Sequence, residues 1–231
     1  MRYDPGRDLG WLLLRPWVAI PRLVQVLWSL AGLVLVLLLR GGSNDPAVQQ
    51  GLARRILNTL TGLGPCFIKL GQALSTRPDL VRRDWLEELT RLQDDLPAFP
   101  HATALACIRE ELGAPAEELF EEFPDTPIAA ASLGQVYKAR LQGQHWVAVK
   151  VQRPNLTFIL RRDLVLIRAL GVMTAPLLPL NLGFGLGGII DEFGRSLFEE
   201  IDYGLEAANA ERFSALFADK DAVYILSLIH I

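Results

Sequence analysis

Cysteine and histidine are scarce in this chain of 231 residues, and the few that occur are scattered. The two cysteines, Cys66 and Cys107, stand far apart without the spacing of a metal site. The three histidines, at positions 101, 145 and 230, are equally dispersed. These counts give no basis for a zinc site or for a Cys-His or Ser-His-Asp catalytic set. We predict that both cysteines are free, buried thiols in a reducing compartment.

An excess of charge of one sign is also lacking. The formal net charge is −3, so no global electrostatic attraction draws the chain to nucleic acid or to acidic lipid. Nucleic acid is therefore not an expected partner, and any basic site must be local. The length suits one or two domains with an ordinary buried core.

Apolar residues, by contrast, are abundant and concentrated near the N-terminus. The run from Leu23 to Leu39 contains no charged residue and is flanked by Arg22 and Arg40. As a helix it would be about 26 Å long, slightly short of a bilayer core of roughly 30 Å. It begins too late in the chain for a signal peptide, and no small-residue cleavage site follows it.

One face of this predicted helix is polar, because residues at three- and four-residue steps share a helix face. The polar set is Arg22, Gln25, Ser29 and Gly32. That face could rest on protein or on lipid headgroups while leucine and valine meet lipid or core. Nearby aromatic and basic residues suit a membrane interface: Trp11, Arg15, Trp17, Arg22 and Trp28. We predict membrane association, as an interfacial helix or a short span; the alternative is a buried core helix of a soluble protein.

After the turn-rich stretch GGSNDP the sequence becomes amphipathic and helical in pattern. Proline at a helix start, a carboxylate at an N-cap and glycine after a helix end supply the boundaries. The predicted helices are Leu52 to Leu60, Pro65 to Thr76, a helix capped by Asp84, and His101 to Leu112, which Gly113 ends.

Strand-like alternation replaces the helical pattern after Pro124. In HWVAVKVQ, Trp146, Ala148 and Lys150 fall on one face and three valines on the other, and SLGQVYKARL alternates in the same way. Between the two runs, QGQ centres on Gly143 and indicates a short hairpin turn. We predict two antiparallel strands here.

Lys150 ends the second of these strands. Its stem would lie in the core and its ammonium group at the rim of a cleft, where a cation can pair with polyphosphate. The alternative is a surface lysine whose stem covers apolar surface. The loop Ala129 to Ser132 leads directly into the first strand, as a loop that covers a nucleotide would. Three alanines and a serine stand where a glycine-rich phosphate loop would be expected.

A phosphate-binding lysine needs a carboxylate to hold it, and the last amphipathic segment offers several. We predict one long helix there, whose buried residues are Ile190, Phe193, Leu197, Ile201, Leu205 and Ala208. On that helix Asp202, Glu206 and Asn209 share a face, and Glu200 points nearly the opposite way from Asp202. The alternative is a solvated acidic face.

Four segments occur together in a specific order: KLGQALSTRPDL, AAASLGQVYKA, VAVKVQRP and EEIDYGLEAANAERF. This combination resembles the UbiB family of atypical kinases, the AarF-like proteins associated with ubiquinone and other prenylquinone lipids. The resemblance covers roughly Gly51 to Phe213.

The resemblance implies an α+β fold: a protein-kinase-like N-lobe, with an antiparallel sheet and an αC-like helix, preceded by a helical KxGQ extension. It divides the chain into residues 1–40, a membrane-associated region; 41–46, a linker; 47–122, the KxGQ extension; 123–225, a partial N-lobe; and 226–231, a suspected non-native tail.

The resemblance also implies roles for individual residues. The nucleotide-binding set would be Ala129, Ala130, Ala131, Ser132, Lys150 and its ion-pair partner Glu206. The regulatory KxGQ and ExD motifs would be Lys69, Gly71, Gln72, Glu200 and Asp202, with Glu200 turned toward Lys69. Gly71 would allow close helix approach. The alanine loop would be stiffer than a glycine loop, in the form of a helical turn with its amides aimed at the anion.

The sequence departs from a full kinase in its second half. A catalytic-loop Asp and Asn and a metal-binding Asp of DFG type are not found. DEFG, Asp191 to Gly194, has an extra Glu and lies upstream of the αC-like glutamate, so we assign it to structure. We expect an N-terminal fragment that lacks the C-lobe, has no catalytic residues of its own and ends in a few foreign residues.

The expected function is that of an ATP-binding kinase or ATPase supporting prenylquinone lipid metabolism at a membrane. The alternatives are a membrane-bound scaffold or lipid-binding regulator that senses nucleotide, and a plain helical membrane adaptor. The expected cofactor is ATP or ADP with magnesium in the full-length protein. Expected partners are nucleotide, membrane lipid or prenylquinone precursors, and a membrane protein complex. The kinase-like part would face a reducing, cytoplasm-like compartment.

Overall fold

A computed structural model of the chain describes residues 3–79, 81–94, 96–143, 145–177, 185–220 and 222–226. The chain divides into two compact units. One combines Met1–Gly10 with Leu164–Ile231, and the other is Trp11–Asp163. The first unit therefore brings together segments from the two ends of the sequence.

Eight helices begin in the first three quarters of the described chain, and proline or a capping residue marks several of their starts. They are α1 (Pro5–Leu13), α2 (Pro16–Arg40), α3 (Pro46–Leu63), α4 (Pro65–Ser75), α5 (Arg83–Asp94), α6 (His101–Leu112), α7 (Ala116–Leu119) and α8 (Leu156–Thr174). Asp45 caps α3 by accepting a hydrogen bond from the Ala47 amide. Gly113, with φ of 74°, closes α6 in the left-handed conformation that glycine adopts easily.

Helices α3, α4 and α5 share an apolar core within the unit Trp11–Asp163. Its members are buried leucines and neighbouring small or aromatic residues: Leu52, Ala53, Leu60, Leu63, Cys66, Phe67, Ile68, Leu89 and Leu92. Cys66 is fully buried as expected, and burial raises the pKa of its thiol. Cys107 is only partly buried, which corrects the prediction for that residue, although burial raises its pKa as well.

The described residues also form a small antiparallel sheet of four strands: β1 (Phe120–Glu122), β2 (Ala129–Ala130), β3 (Gly134–Leu141) and β4 (Trp146–Gln152). Strand β3 is central, because it pairs with each of the others. β4 pairs along the whole of β3 from Gly134↔Gln152 to Arg140↔Trp146. Gly143, with φ of 65°, makes the turn between them.

One face of the sheet is buried against α6 and the chain that follows it. This core contains Phe99, Ala104, Ile108, Ala116, Phe120, Tyr137, Ala139 and Val151. Within β4 the exposed positions alternate with less exposed ones, so Trp146, Ala148 and Lys150 face outward. The predicted hairpin, its turn and its alternation are therefore confirmed.

Helix α2 has two different faces. Its buried residues, Arg22, Val26 and Leu33, lie on one side. The opposite side is apolar and exposed, as Trp17 at 70% and Trp28 at 82% illustrate. Within the described residues α2 is the one helix long and apolar enough to cross a membrane by length and composition.

Arg22 is held by a buried ion pair with Asp163 in α8. Its Nε and Nη2 donate to the two carboxylate oxygens of Asp163 at 2.9 and 2.7 Å. Arg22 also donates to Gln25 Oε1 at 2.8 Å and to the Leu63 carbonyl. Asp163 is 0% and Arg22 9% exposed, so the carboxylate depends on its arginine partners for the stabilisation that water would otherwise supply. Arg162 is the second of these, with its Nε 2.8 Å from Asp163 Oδ1.

The unit that combines Met1–Gly10 with Leu164–Ile231 contains α9 (Leu186–Glu200) and α10 (Tyr203–Leu216). Asp191 of α9 accepts hydrogen bonds from Tyr3 at 3.1 Å and from Arg168 at 2.7 Å. The Tyr3 ring packs on Gly194, where an added Cβ would come within 2.7 Å of it. Burial and the Asp191 charge raise the pKa of the Tyr3 hydroxyl. The DEFG segment thus lies inside a helix, and its Asp and Gly contact the N-terminal segment.

Several predictions about the fold are wrong in detail. Four strands form where two were predicted, and β1 belongs to the sheet although residues 47–122 were predicted to be helical. The predicted single long helix is interrupted at Ile201–Asp202, because Asp202 caps a new helix. Leu205 and Ala208 are consequently exposed, and Ala207 is the buried residue of α10. Residues 227–231 of the suspected non-native tail lie outside the described residues.

We predict that Arg22→Met and Asp163→Leu each lower the free energy of unfolding by about 3–5 kcal/mol, because each removes one side of the buried bidentate pair and leaves the other charge buried. The double variant should lose less than the sum of the two single losses, since it removes both charges together. Urea denaturation followed by circular dichroism measures these energies.

The matched control is Arg77→Met, which removes the ion pair of Arg77 with Asp79, where both side chains are more than half exposed. Little change is expected from it. Strictly additive losses at positions 22 and 163 would contradict the coupling of these two residues.

Candidate functional site

Lys150 lies on the exposed face of the sheet, near the end of β4. It is directly opposite Val136 of β3 in the strand register. Because every second residue of a strand shares a face, Ala148 lies beside it on β4. The exposed face thus presents a lysine next to two small apolar side chains. Such a surface can accept a flat apolar ring beside an anionic group.

Further along the same face the sheet carries a cluster of cations around one tryptophan. Lys138 Nζ lies 4.8 Å from the Trp146 ring centroid, and the guanidinium carbon of Arg140 lies 5.7 Å from it. Arg140 is also paired with Glu121 of β1 at 2.9 Å. Lys138 is therefore a second lysine on this face. It lies directly opposite Ala148, in the same-face row next to the Val136–Lys150 pair.

The alanine-rich segment forms a strand and a tight turn. Ala129 and Ala130 pair with Val136 and Gln135 of β3. The Ala131 amide donates to the Gly134 carbonyl at 2.8 Å and closes the turn. The predicted helical turn is therefore wrong, because pairing with β3 satisfies the backbone of this segment in extended form. Alanine fits such a conformation without the positive φ that would require glycine.

Within this segment the side chains differ in exposure. Ala129 and Ala131 are exposed, Ala130 is partly buried, and Ser132 is buried at 1%. The Ser132 side chain thus lies in the interior of the turn and not on its outer surface. The alanines form the outer part of the segment.

The sequence analysis did not identify two residues whose side chains hold this turn and the adjoining part of β3 in place. Arg153 donates to the Ala131 carbonyl at 3.1 Å and to the Pro97 carbonyl at 2.9 Å. Gln135 is 1% exposed and exchanges hydrogen bonds with the Phe99 backbone at 3.0 and 3.3 Å. Both side chains tie the sheet to the chain before α6. Both residues lie inside segments that the sequence analysis had singled out, Gln135 in SLGQ and Arg153 in VQRP, and this position could have identified them.

Gly71 lies in α4 at a close helix contact, as predicted. An added Cβ would come within 2.5 Å of Leu92 Cδ1 and 2.8 Å of Leu60 Cδ1. Leu60 belongs to α3 and Leu92 to α5, so Gly71 lets α4 pack between both. This steric role follows from glycine's missing side chain.

The other two residues of the KxGQ motif flank this contact. Gln72 donates from Nε2 to the Leu92 carbonyl at 2.6 Å, which satisfies a carbonyl in the last turn of α5. Lys69 is partly buried. The described structure therefore uses Gly71 and Gln72 to join α4 to α5.

The acidic residues of the ExD motif lie at the junction of α9 and α10. Glu200 is the last residue of α9 and is exposed. Asp202 caps α10 by accepting a hydrogen bond from the Leu205 amide at 3.0 Å, and this bond lowers its pKa. Glu206 follows in the first turn of α10. The predicted directions of Glu200 and Glu206 assumed one continuous helix, so the break removes that geometric argument.

The candidate residues fall into the two units of the chain. The KxGQ residues, the alanine segment and Lys150 belong to Trp11–Asp163, whereas Glu200, Asp202 and Glu206 belong to the other unit. Within the larger unit, the alanine segment in β2 and Lys150 in β4 lie on either side of β3, where Ala129 and Lys150 both pair with Val136.

Comparison with known proteins identifies the family. The sequence profile of the ABC1 atypical kinase-like domain matches residues 91–229, more than half of the chain. The chain belongs to the ABC1 atypical kinase-like family. The UbiB and AarF proteins are included in this family, so the predicted resemblance is confirmed. A mixed fold of helices with a small antiparallel sheet agrees with the N-lobe of such a domain.

Relatives in the ABC1 family occur in cyanobacteria and plants. The chain is 47% identical over 217 residues to the protein slr1919 of Synechocystis sp., covering 94% of this chain and 38% of that protein. It is 47% identical over 182 residues to the chloroplastic protein ACTIVITY OF BC1 COMPLEX KINASE 1 of Arabidopsis thaliana, covering 78% of this chain and 27% of that protein. The chain therefore spans well under half the length of these curated relatives.

Among solved structures, the complex of Rv3197 with erythromycin from Mycobacterium tuberculosis is 35% identical in sequence. The match covers 65% of this chain and 38% of that chain, with a TM-score of 0.43.

We predict that Gly71→Ala destabilises the protein by about 1–2 kcal/mol, because the new methyl group must displace two buried leucines. The matched control is Gly51→Ala in α3, where the added Cβ lies more than 4 Å from the described residues. That change should be neutral or stabilising, since alanine favours a helix over glycine. Thermal unfolding compares the two, and equal effects would contradict the steric role of Gly71.

We predict that Asp202→Ala frays the start of α10, while Asp202→Asn retains the cap. The hydrogen bond lowers the pKa of the folded carboxyl below its ordinary value of 3.8. The stabilisation that the ionised Asp202 carboxylate gives is therefore fully present at pH values above 3.8. It is lost as the pH falls through the lowered pKa of the folded protein. The stability advantage of the wild type over the Asn variant should shrink in this acidic range. Urea denaturation at several pH values measures it, and a gap that widens on acidification would contradict the assignment.

Proposed function

We propose that the chain carries the nucleotide-binding N-lobe of an atypical kinase or ATPase that acts at a membrane in prenylquinone lipid metabolism. The observation that carries the proposal is the exposed face of the sheet, where Lys150 lies opposite Val136 and beside Ala148. Membership of the ABC1 family adds a reason to expect nucleotide on such a face.

The proposed division of labour follows the side chains of that face. Val136 and Ala148 present a small apolar surface for a purine ring, and Lys150 supplies a cation for phosphate oxygens. The outer alanines of β2 and its turn would border the phosphates. A carboxylate is needed to orient the lysine, and we propose Glu206 for that role.

The KxGQ and ExD residues are proposed to regulate the same site. Gly71 and Gln72 fix α4 against α5, so Lys69 is carried on a well-packed helix. We propose Glu200 as its acidic partner and Asp202 as the residue that sets the start of α10. In this arrangement the helical extension restricts which substrates reach the nucleotide.

ATP or ADP is the proposed ligand, and in kinases magnesium accompanies it. Within the described ranges, no group of three or more His, Cys, Asp or Glu side chains could hold a metal ion. The proposal therefore assigns no magnesium ligand to this chain. Lys150 and the apolar pair beside it fit the nucleotide itself.

Membrane association is proposed from α2. Its exposed side is apolar along the helix and carries two tryptophans, a composition typical of interfacial segments. Several plant relatives are named as chloroplastic proteins. A lipid-linked substrate would suit a kinase-like domain held at a bilayer, and we propose a prenylquinone precursor as that substrate.

We predict that Lys150→Met weakens nucleotide binding by the purified chain at least about tenfold, which corresponds to 1.4 kcal/mol or more. The reason is the loss of the cation proposed to meet the phosphates. Titration with a fluorescent ADP analogue in the presence of magnesium measures the affinity.

Lys138→Met is the matched control, since it removes a lysine from the same face of the neighbouring strand. Its nucleotide affinity should stay within about twofold of the wild type, a difference of roughly 0.4 kcal/mol. Equal losses of nucleotide affinity in both variants would show that the surface charge of the sheet, and not a specific contact of Lys150, attracts the nucleotide. Unchanged affinity in the Lys150 variant would refute the site.

A further inference from the structure

We propose that α2 lies in the plane of one membrane surface and does not cross the bilayer. This inference rests on the membrane association proposed above and adds the orientation of the helix. The partner is the boundary between headgroups and acyl chains, with anionic lipids in the surface.

Helix α3 runs antiparallel to α2 along nearly the whole length of α3, as three contacts show. Near the start of α2, Arg22 donates to the carbonyl of Leu63, the last residue of α3. Past the end of α2, Gly41 accepts a hydrogen bond from Gln49 in the first turns of α3, at 3.2 Å. Between these points, a Cβ on Gly32 would lie 4.0 Å from Arg55 Nη2.

The outward side of α3 is polar. Gln50, Arg54, Arg55 and Asn58 are exposed, and Arg54 lies 3.7 Å from the carboxylate of Glu88 in α5. If α2 crossed a bilayer, α3 would lie at the same depth, and these charged and amide groups would enter the hydrocarbon. Charged groups at that depth are strongly disfavoured. A helix lying in the surface leaves them in water.

The exposed stripe of α2 fits the surface orientation. It comprises the apolar residues Trp17, Ile20, Val24, Leu27, Trp28, Val34, Leu35, Leu38 and Leu39. At 1.5 Å per residue it is roughly 33 Å long, and it lies opposite the buried Arg22, Val26 and Leu33. In a span, Trp28 would sit near the bilayer centre, whereas tryptophan favours the interface.

The charges around α2 favour an anionic lipid surface over a second copy of the chain. From Leu9 to Asn44 the sequence contains no Asp or Glu, whereas it contains Arg15, Arg22 and Arg40. Arg15 and Arg40 flank the two ends of the stripe, where they can meet headgroup phosphates. Two such surfaces facing each other would bring like charges together.

The first experiment labels the two ends of α2 from each side of a membrane. Gly10→Cys and Gly42→Cys introduce exposed thiols in a Cys107→Ser background, and the fully buried Cys66 is retained. Intact spheroplasts and inverted vesicles of a bacterial expression host are treated with a membrane-impermeant maleimide. In-plane binding predicts that both thiols react in inverted vesicles and that neither reacts in spheroplasts. Reaction of one end from each side would show a span and overturn the proposal.

The second experiment measures depth in vesicles of phosphatidylcholine and phosphatidylglycerol. A fluorophore at Ile20→Cys, Trp28→Cys or Leu38→Cys should be quenched equally by shallow lipid quenchers, and Asn58→Cys, on α3, should not be quenched. Deepest quenching at position 28, or quenching at position 58, would overturn the in-plane orientation while leaving membrane association intact.

Failure of the protein to sediment with either these vesicles or vesicles of phosphatidylcholine alone would refute both membrane association and this inference. Self-association that protects the stripe cysteines in the absence of lipid would identify a second copy as the occupant and would also overturn it. The effect of Lys150→Met on nucleotide binding is independent of all these outcomes.

Discussion

The buried ion pair between Arg22 and Asp163 determines how the most apolar segment of the chain is used. If Arg22 left Asp163, the fully buried carboxylate would lose its bidentate partner, so one side of α2 stays packed on protein. The same arginine reaches the end of α3 through the Leu63 carbonyl. Helix α3 therefore follows α2, and the opposite, apolar side of α2 is left exposed. Helix α2 is apolar enough in composition for a membrane span, yet one of its sides is packed against the rest of its unit.

The sheet obeys a comparable constraint. Tyr137, Ala139 and Val151 pack beneath it against α6, and this fixes the register of β3 and β4. Because side chains alternate along a strand, burying those residues puts Val136, Ala148 and Lys150 on the other face. The candidate nucleotide surface is therefore a consequence of the core below it. Gln135 and Arg153 strengthen this arrangement by bonding the sheet to the chain before α6.

Local patterns predicted much of this architecture. Proline and glycine boundaries gave α4 and α6 closely, and alternation with a glycine turn gave the β3–β4 hairpin. Prediction failed where a short segment depends on a distant partner: β1 and β2 have three and two residues, too few for a periodic signal. It also failed at Ile201–Asp202, where an aspartate that could have lain on a helix surface instead caps a new helix. The extended form of the alanine segment was not predicted because it depends on pairing with β3.

The sequence by itself determined the family and the hairpin that carries Lys150, because these depend on residue identity and short-range spacing. Only the tertiary structure decided which side of α2 is buried, how α3 accompanies it, and where the ExD helix divides. The first two features rest on contacts between residues far apart in the chain, such as Arg22 with Asp163, 141 positions away. The division of the ExD helix rests on a local cap, which a continuous helix could equally have replaced. No local pattern specifies which of the possible partners a buried charge will meet, because that choice is made by the packing of the whole unit.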